Sequence, residues 1–247
     1  MESFPDFPEW AARYYESYSA PYVPITKEAQ DRAEQGLPRV LKHLPRKGSS
    51  VLDLCCGGGT YLFAIEKAGY RMTGLDIQRR MIEGARKFAK TTGSKAKLVV
   101  GDARAPKFPD ESFDSVVFLG APFGHFSIGE FEQIARQALR MLKRNGTMIS
   151  EVNDHVALFL SGMYQRILYE PAGEDDALSL HTRYDGQAGT FNRLFLDLDK
   201  NKKFKGSFHI WTPWIMDYVM KSVGFAKKVS EPATFGHFTQ FVVYKKP

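Results

Sequence analysis

Residues 51–65, VLDLCCGGGTYLFAI, run from an apolar strand through three consecutive glycines into a helix. Few folds accept that order. Glycine adopts backbone angles closed to other residues and lets a ligand approach the main chain. The start of the following helix presents unpaired N–H groups and a partial positive end, which suits a carboxylate or a phosphate. The segment therefore predicts a nucleotide-type crevice at the carboxyl end of a buried strand.

The rest of the first half repeats this alternation. Apolar strands are predicted at 49–56, 70–77, 97–103, 112–120 and 147–152. Helices are predicted at 59–68, 78–92 and 129–144, the last ended by Asn145-Gly146. Continuous apolar strands separated by helices predict a doubly wound α/β fold, a mostly parallel sheet covered on both faces. After residue 152 the pattern changes. A helix is expected over roughly 154–169, a loop from Pro171 to Asp176, and antiparallel strands at 178–184, 190–199 and 204–211. On the middle strand Phe191, Arg193, Phe195 and Asp197 fall on one face. A helix at 213–222 stopped by Gly224 and a hairpin of strands at 225–231 and 237–245 complete a seven-stranded sheet. The expected organisation is an N-terminal helical lid at 1–48, a core formed by 49–152 and 212–247, and an antiparallel β-rich cap inserted at 153–211.

Composition excludes several classes. No apolar run approaches the roughly 20 residues that span a bilayer, and the start MESFPDFPEW lacks the basic and apolar regions of a secretory signal. A cytoplasmic protein with no membrane partner is expected. The two cysteines, Cys55 and Cys56, are adjacent, so they neither staple a fold nor form a zinc site, and no metal-ligand cluster stands out. The net charge of +6 is spread over short lysine groups, so nucleic acid is the less favoured partner. A monomer or homodimer is expected.

Three nucleotide readings compete at the glycine loop. A P-loop needs Gly-Lys followed by Ser or Thr, which is absent. A dinucleotide fingerprint beginning at Gly57 would place its last glycine at position 62, which is Leu62. The remaining pattern, Asp53-x-Cys55-x-Gly57-x-Gly59, resembles the first motif of class I S-adenosylmethionine-dependent methyltransferases, with Cys55 in place of its first glycine. Asp76 at the end of the second strand and Gly101-Asp102-Ala103 at the end of the third follow in the family's order. The resemblance covers about residues 50 to 152 and implies S-adenosylmethionine as cofactor. It implies that Asp76 accepts from the ribose hydroxyls. Asp102 and the Ala103 N–H would contact the adenine, flanked by Ile77 and Arg104, and Leu119 would line the same site.

The loop Leu-Gly-Ala-Pro-Phe-Gly-His-Phe at 119–126 follows the fourth strand and should face the transferred methyl. It is similar to the corresponding loop of a small-molecule subgroup of the family, which also has a tyrosine-rich N-terminal segment and a strand insertion. A small-molecule acceptor is therefore expected, methylated on N, O or C. His125 and Tyr18 are the candidate catalytic residues. Tyr14, Tyr15, Tyr22, Phe123, Arg183 and Arg193 are candidates for the acceptor. Trp10, Tyr14 and Tyr18 share one helical face and serve equally to pack on the core or to roof the site. Two rivals remain, an RNA or protein acceptor, and a non-catalytic nucleotide-binding module.

Overall fold

A computed structural model describes residues 27–120, 122–172, 175–198, 201–232 and 238–247. The elements in chain order are α1 (Lys27–His43), β1 (Ser50–Leu54), α2 (Thr60–Lys67), β2 (Arg71–Asp76), α3 (Arg79–Thr92), β3 (Lys97–Val100) and β4 (Phe113–Phe118). They continue with α4 (Ile128–Met141), β5 (Leu142–Asn153), α5 (His155–Leu160), β6 (Ile167–Ala172), β7 (Asp175–Asp185), β8 (Thr190–Asp197) and β9 (Lys202–His209). Helix α6 (Pro213–Val223) and strands β10 (Ala226–Pro232) and β11 (Thr239–Lys245) follow.

Seven strands form one sheet in the order β10-β11-β5-β4-β1-β2-β3. Strands β1 to β5 run parallel, and β11 lies antiparallel between β5 and β10. Both faces are covered, which explains the unbroken apolar runs. Leu52, Val116 and Met148 pack with Phe131, Ile134 and Met216 from α4 and α6. Their neighbours Val51, Val117 and Ile149 pack with Val40, Leu62 and Ile82 from α1, α2 and α3. Successive strand residues point to opposite faces, and each buried aliphatic side chain contributes about 1.5–3 kcal/mol. Local signals agree with the packing. Ser127 and Glu130 form a capping box at the start of α4, and Thr212 caps α6 with Pro213 in its first turn.

The insertion forms a second, antiparallel sheet in the order β6-β7-β8-β9. Phe191, Arg193, Phe195 and Asp197, placed on one face by their alternation, are its buried row. Trp211 ties this sheet to the first. Its fully buried indole packs on Phe123 and Phe131, its Nε1–H donates to the Phe126 carbonyl at 2.9 Å, and its backbone N–H donates to His155 Nδ1 at 2.9 Å.

Three expectations need correction. Helix α4 ends at Met141, and Asn145-Gly146 lies inside β5 as an irregular turn. Leu142 already pairs with Phe113 before the register shifts to Ser115 and Thr147. Asn145 is left-handed there (φ 64), and a Cβ on Gly146 would lie 2.8 Å from the Lys143 carbonyl oxygen. The helix expected over 154–169 closes after Leu160, where Gly162 turns left-handed with φ 73. The released chain becomes β6. The loop expected from Pro171 is mostly strand, because Pro171 lies on the edge strand, where a missing N–H is tolerated.

Candidate functional site

The carboxyl ends of β3, β2, β1 and β4 lie side by side along one edge of the parallel sheet, where the loops that follow them gather. The glycine loop after β1 is built from left-handed residues: Cys55 (φ 59), Gly57 (φ 53) and Gly59 (φ 91). Cys55 thus takes a conformation that glycine adopts without strain. The Cys56 N–H donates to the Leu75 carbonyl at 3.1 Å, and the Gly59 N–H closes the loop on the Cys56 carbonyl at 2.9 Å. A Cβ on Gly59 would lie 2.6 Å from the Phe63 ring, whereas one on Gly57 would meet nothing within 4 Å. The main chain at Gly57 is therefore open to approach.

Asp76 stands at the end of β2 beside this loop. Its Oδ2 accepts from the Gly57 N–H and its Oδ1 from the Gln78 N–H, both at 2.8 Å. Burial pushes its pKa up, and the two backbone donors oppose the shift. Asp53, on β1 in register with Gly74, is buried, and its carboxyl is raised well above the usual range by burial and then by Asp76. A Cβ on Gly74 would strike Leu62 and Cys56, so glycine lets the loop and α2 close over the strands. Ile77 is half-buried next in sequence.

Asp102 and Ala103 follow β3, whose end is tied to β2 by the Gly101 N–H on the Asp76 carbonyl at 2.9 Å. Ala103 is buried. The Asp102 carboxylate is gripped by Arg104, with Nε at 2.9 Å and Nη2 at 2.7 Å from Oδ2. Arg104 also reaches Glu130 at 2.9 Å, and these acids raise its pKa. After β4, Leu119 is buried and the Gly120 N–H donates to Glu151 Oε2 at 3.2 Å. His125 ends the short turn Pro122–His125, 5.7 Å from the ring of Phe208 on β9. Burial, and then His209, lower its pKa to about 4.

The methyltransferase domain family matches residues 51–146. A curated relative, the demethylmenaquinone methyltransferase of Staphylococcus aureus, is 35% identical over 116 residues, which is 45% of this chain and 46% of that protein. The chain thus spans a little under half the length of the curated relatives it matches. The PH0226 protein of Pyrococcus horikoshii OT3 superposes with a TM-score of 0.76 at 26% identity, covering 95% of this chain and 99% of that one. Residues 51–146 carry the methyltransferase domain, and these similarities support the class I S-adenosylmethionine-dependent methyltransferase family. The cofactor of that family is S-adenosylmethionine. CalS10, an amino pentose methyltransferase of Micromonospora echinaspora, shares the fold, with a TM-score of 0.66 at 17% identity and 100% of each chain covered.

Beyond this methyltransferase crevice the expected acceptor residues separate. Phe123 does not line open space. Its ring is 1% exposed and packs edge-on against Phe118 at 5.0 Å and against Trp211 at 5.1 Å. Arg183 is exposed on β7 and faces Asp185 at 3.5 Å. Arg193 is buried in the cap, its Nε donating to the Ser179 hydroxyl at 2.7 Å. Tyr14, Tyr15, Tyr18 and Tyr22 lie outside the described residues. Sequence reasoning missed Glu151. Glu151 is a buried carboxylate whose pKa is raised by burial, at the crevice end of β5. A lone acid inside the apolar run TMISEV was the signal available.

Proposed function

We propose that this chain transfers the methyl group of S-adenosylmethionine to a small-molecule acceptor by in-line displacement. The observation that carries the reading is the junction of Gly57 and Asp76. A carboxylate with lone pairs to spare stands beside a stretch of main chain that is open to a ligand. The pairing suits a nucleoside with a charged tail: the Asp76 carboxylate for the ribose hydroxyls, the open main chain of the glycine loop for the amino-acid end. Asp53 and Cys55 shape that loop. Ile77, Asp102, Ala103 and Leu119 border the adenine and sulfonium positions, with Arg104 holding Asp102 in one orientation. The residues fit the cofactor, which when bound supplies an electrophilic methyl group on its sulfonium.

The chain's own task is orientation and exclusion of water, worth on the order of 7–11 kcal/mol in ideal systems. His125 is uncharged at neutral pH, since its pKa is about 4. It serves as a hydrogen-bond acceptor that orients an N–H or O–H, and as a weak base at most. Tyr18, with Tyr14, Tyr15 and Tyr22, belongs to the proposed lid at 1–48, and 153–211 is the proposed cap over a core of 49–152 and 212–247. The name of the Staphylococcus aureus relative supports a small-molecule acceptor.

Calorimetric titration with S-adenosylhomocysteine, with NAD as control, tests the reading. Micromolar binding of the first alone is expected. Absence of binding to folded, ligand-free protein would overturn it.

A further inference from the structure

The connections between consecutive parallel strands are not alike. Among the described residues the others each carry a helix, but residues 101–112, from β3 to β4, carry none. Thr73 and Val99 point to the α4 side of the sheet, in register with Leu52 and Leu75, which pack there. Beside them the cover is a loop. Arg140 of α4 pins that loop, its Nη1 donating to the Phe108 carbonyl at 2.8 Å and its Nη2 to the Pro106 carbonyl at 3.3 Å. The Phe108 ring stands edge-on to Phe113 at 5.4 Å. Between loop and strands lies a groove of about 690 Å³, with Thr73, Val99, Phe108 and Phe113 among its walls. Small-molecule sites run from about 300 to 1,000 Å³.

The rim of this groove is basic. Arg71 opens β2, Lys97 opens β3, and Lys95 precedes Lys97 by two residues. Lys97 is in register with Thr73, which sets their Cα atoms about 4.8 Å apart. Arg71, two residues before Thr73, falls on the same face. Among the described residues none of these three basic side chains forms an ion pair. The other charged groups at the groove are engaged already. Lys143 pairs with Asp114 at 2.8 Å, and Glu66 accepts from the Ser94 hydroxyl and the Lys95 backbone N–H. Thr73 is 9% exposed, and its hydroxyl makes no hydrogen bond among the described residues. Apolar walls, free cations and a spare hydroxyl together suit an anion that carries an apolar body.

This place is not the cofactor crevice. Arg71 and Asp76 are the two ends of β2, about 17 Å apart, and the glycine loop lies at the Asp76 end. We propose that the groove is a second ligand site, which takes a soluble phosphate ester with its ring against Val99 and Phe108 and its phosphate on Arg71, Lys95 and Lys97. Phosphate is favoured over carboxylate because three cations gather at one end, and a phosphate ester offers them three free oxygens and up to two charges. An ester is favoured over the bare ion because the bare ion would leave the apolar walls unfilled.

The test is equilibrium titration of the full chain with phenyl phosphate, phenol and inorganic phosphate, each with and without saturating S-adenosylhomocysteine. Salt at about 0.15 M screens unspecific attraction to the basic chain. Phenyl phosphate should bind at least tenfold tighter than either fragment, since it alone combines charge-assisted bonds with a buried ring. Replacing both exposed lysines, Lys95→Glu with Lys97→Glu, should weaken it tenfold or more and leave S-adenosylhomocysteine affinity unchanged. If the double variant lacks a cooperative melting transition, Lys97→Gln decides, with a loss of about threefold expected. Phenyl phosphate that binds no tighter than its fragments, that is displaced by S-adenosylhomocysteine, or that binds the variants as it binds the wild type overturns the proposal. Failure of S-adenosylhomocysteine to bind would sink the methyltransferase reading alone, since the probes are also titrated without it.

Discussion

The crevice and the cap hold buried charge in opposite ways. In the crevice the charges are acids satisfied by main chain: Asp76 by the N–H groups of Gly57 and Gln78, Glu151 by that of Gly120. In the cap the charge is a guanidinium satisfied by a hydroxyl and a carbonyl of the neighbouring strand. Main-chain donors next to a strand end are set by local sequence, whereas cross-strand partners are set by register. The first kind of site is written into a few consecutive residues. The second exists only once a sheet has formed.

Trp211 joins the two regions, and its loss is the largest way to break the contrast. Trp211→Ala removes a fully buried ring together with its bond to the Phe126 carbonyl. A loss of about 3–5 kcal/mol is expected. Thermal melting should show one cooperative transition at lower temperature. A loss below about 1 kcal/mol would mean that cap and core are energetically independent.

Acid should act at the same junction. His125 and His155 are buried beside it, each with its pKa lowered to about 4, chiefly by burial. An unfolded imidazole titrates near 6.5. The unfolded chain therefore binds more protons between about pH 6.5 and 4, and stability falls as pH drops through that window. Above it their contribution is fully present. The loss is at most about 3 kcal/mol per histidine. His155→Asn keeps an acceptor for the Trp211 N–H and should flatten the slope in denaturant titrations at several pH values. An unchanged slope would remove His155 from the account.

Within the crevice, Asp76→Ala should weaken S-adenosylhomocysteine about tenfold or more, since it removes the carboxyl proposed to accept from the ribose hydroxyls. The melting temperature should change less than for Trp211→Ala. Calorimetry checks the first point and thermal denaturation the second. Unchanged affinity would take Asp76 out of the site and leave the glycine loop without its proposed partner.

The sequence was informative where structure is local. The order of strands, glycine loop and Asp76 could be read because the central strands β1, β2 and β4 are buried on both faces and end where their apolar runs end. Phe123 misled because it sits in a crevice loop, yet its ring turns inward to Phe118 and Trp211, residues distant in sequence. Arg193 read as an ordinary strand arginine. Its burial follows from β7 and β9 lying on either side of β8, which no periodicity reports. The α5–β6 segment was misread because Gly162 interrupts an apolar pattern that otherwise passes for a longer helix.

The smallest expected effects sharpen the account of the glycine loop itself. Cys55 and Gly57 have similar φ angles, 59 and 53, yet one carries a side chain. A left-handed non-glycine residue costs roughly 1–2 kcal/mol, and glycine loses about 0.5–1 kcal/mol to its freer unfolded chain. Cys55→Gly should therefore raise stability by no more than about 1 kcal/mol, and cofactor-product affinity should stay within about twofold. Gly57→Ala should cost about 1 kcal/mol of stability for the reverse reason. It should also weaken S-adenosylhomocysteine binding, because its new methyl group enters the space that is open above Gly57. Paired titrations of the two variants separate strain from access. If Gly57→Ala binds as well as the wild type, the ligand does not approach the main chain there, and the cradle lies elsewhere along the loop.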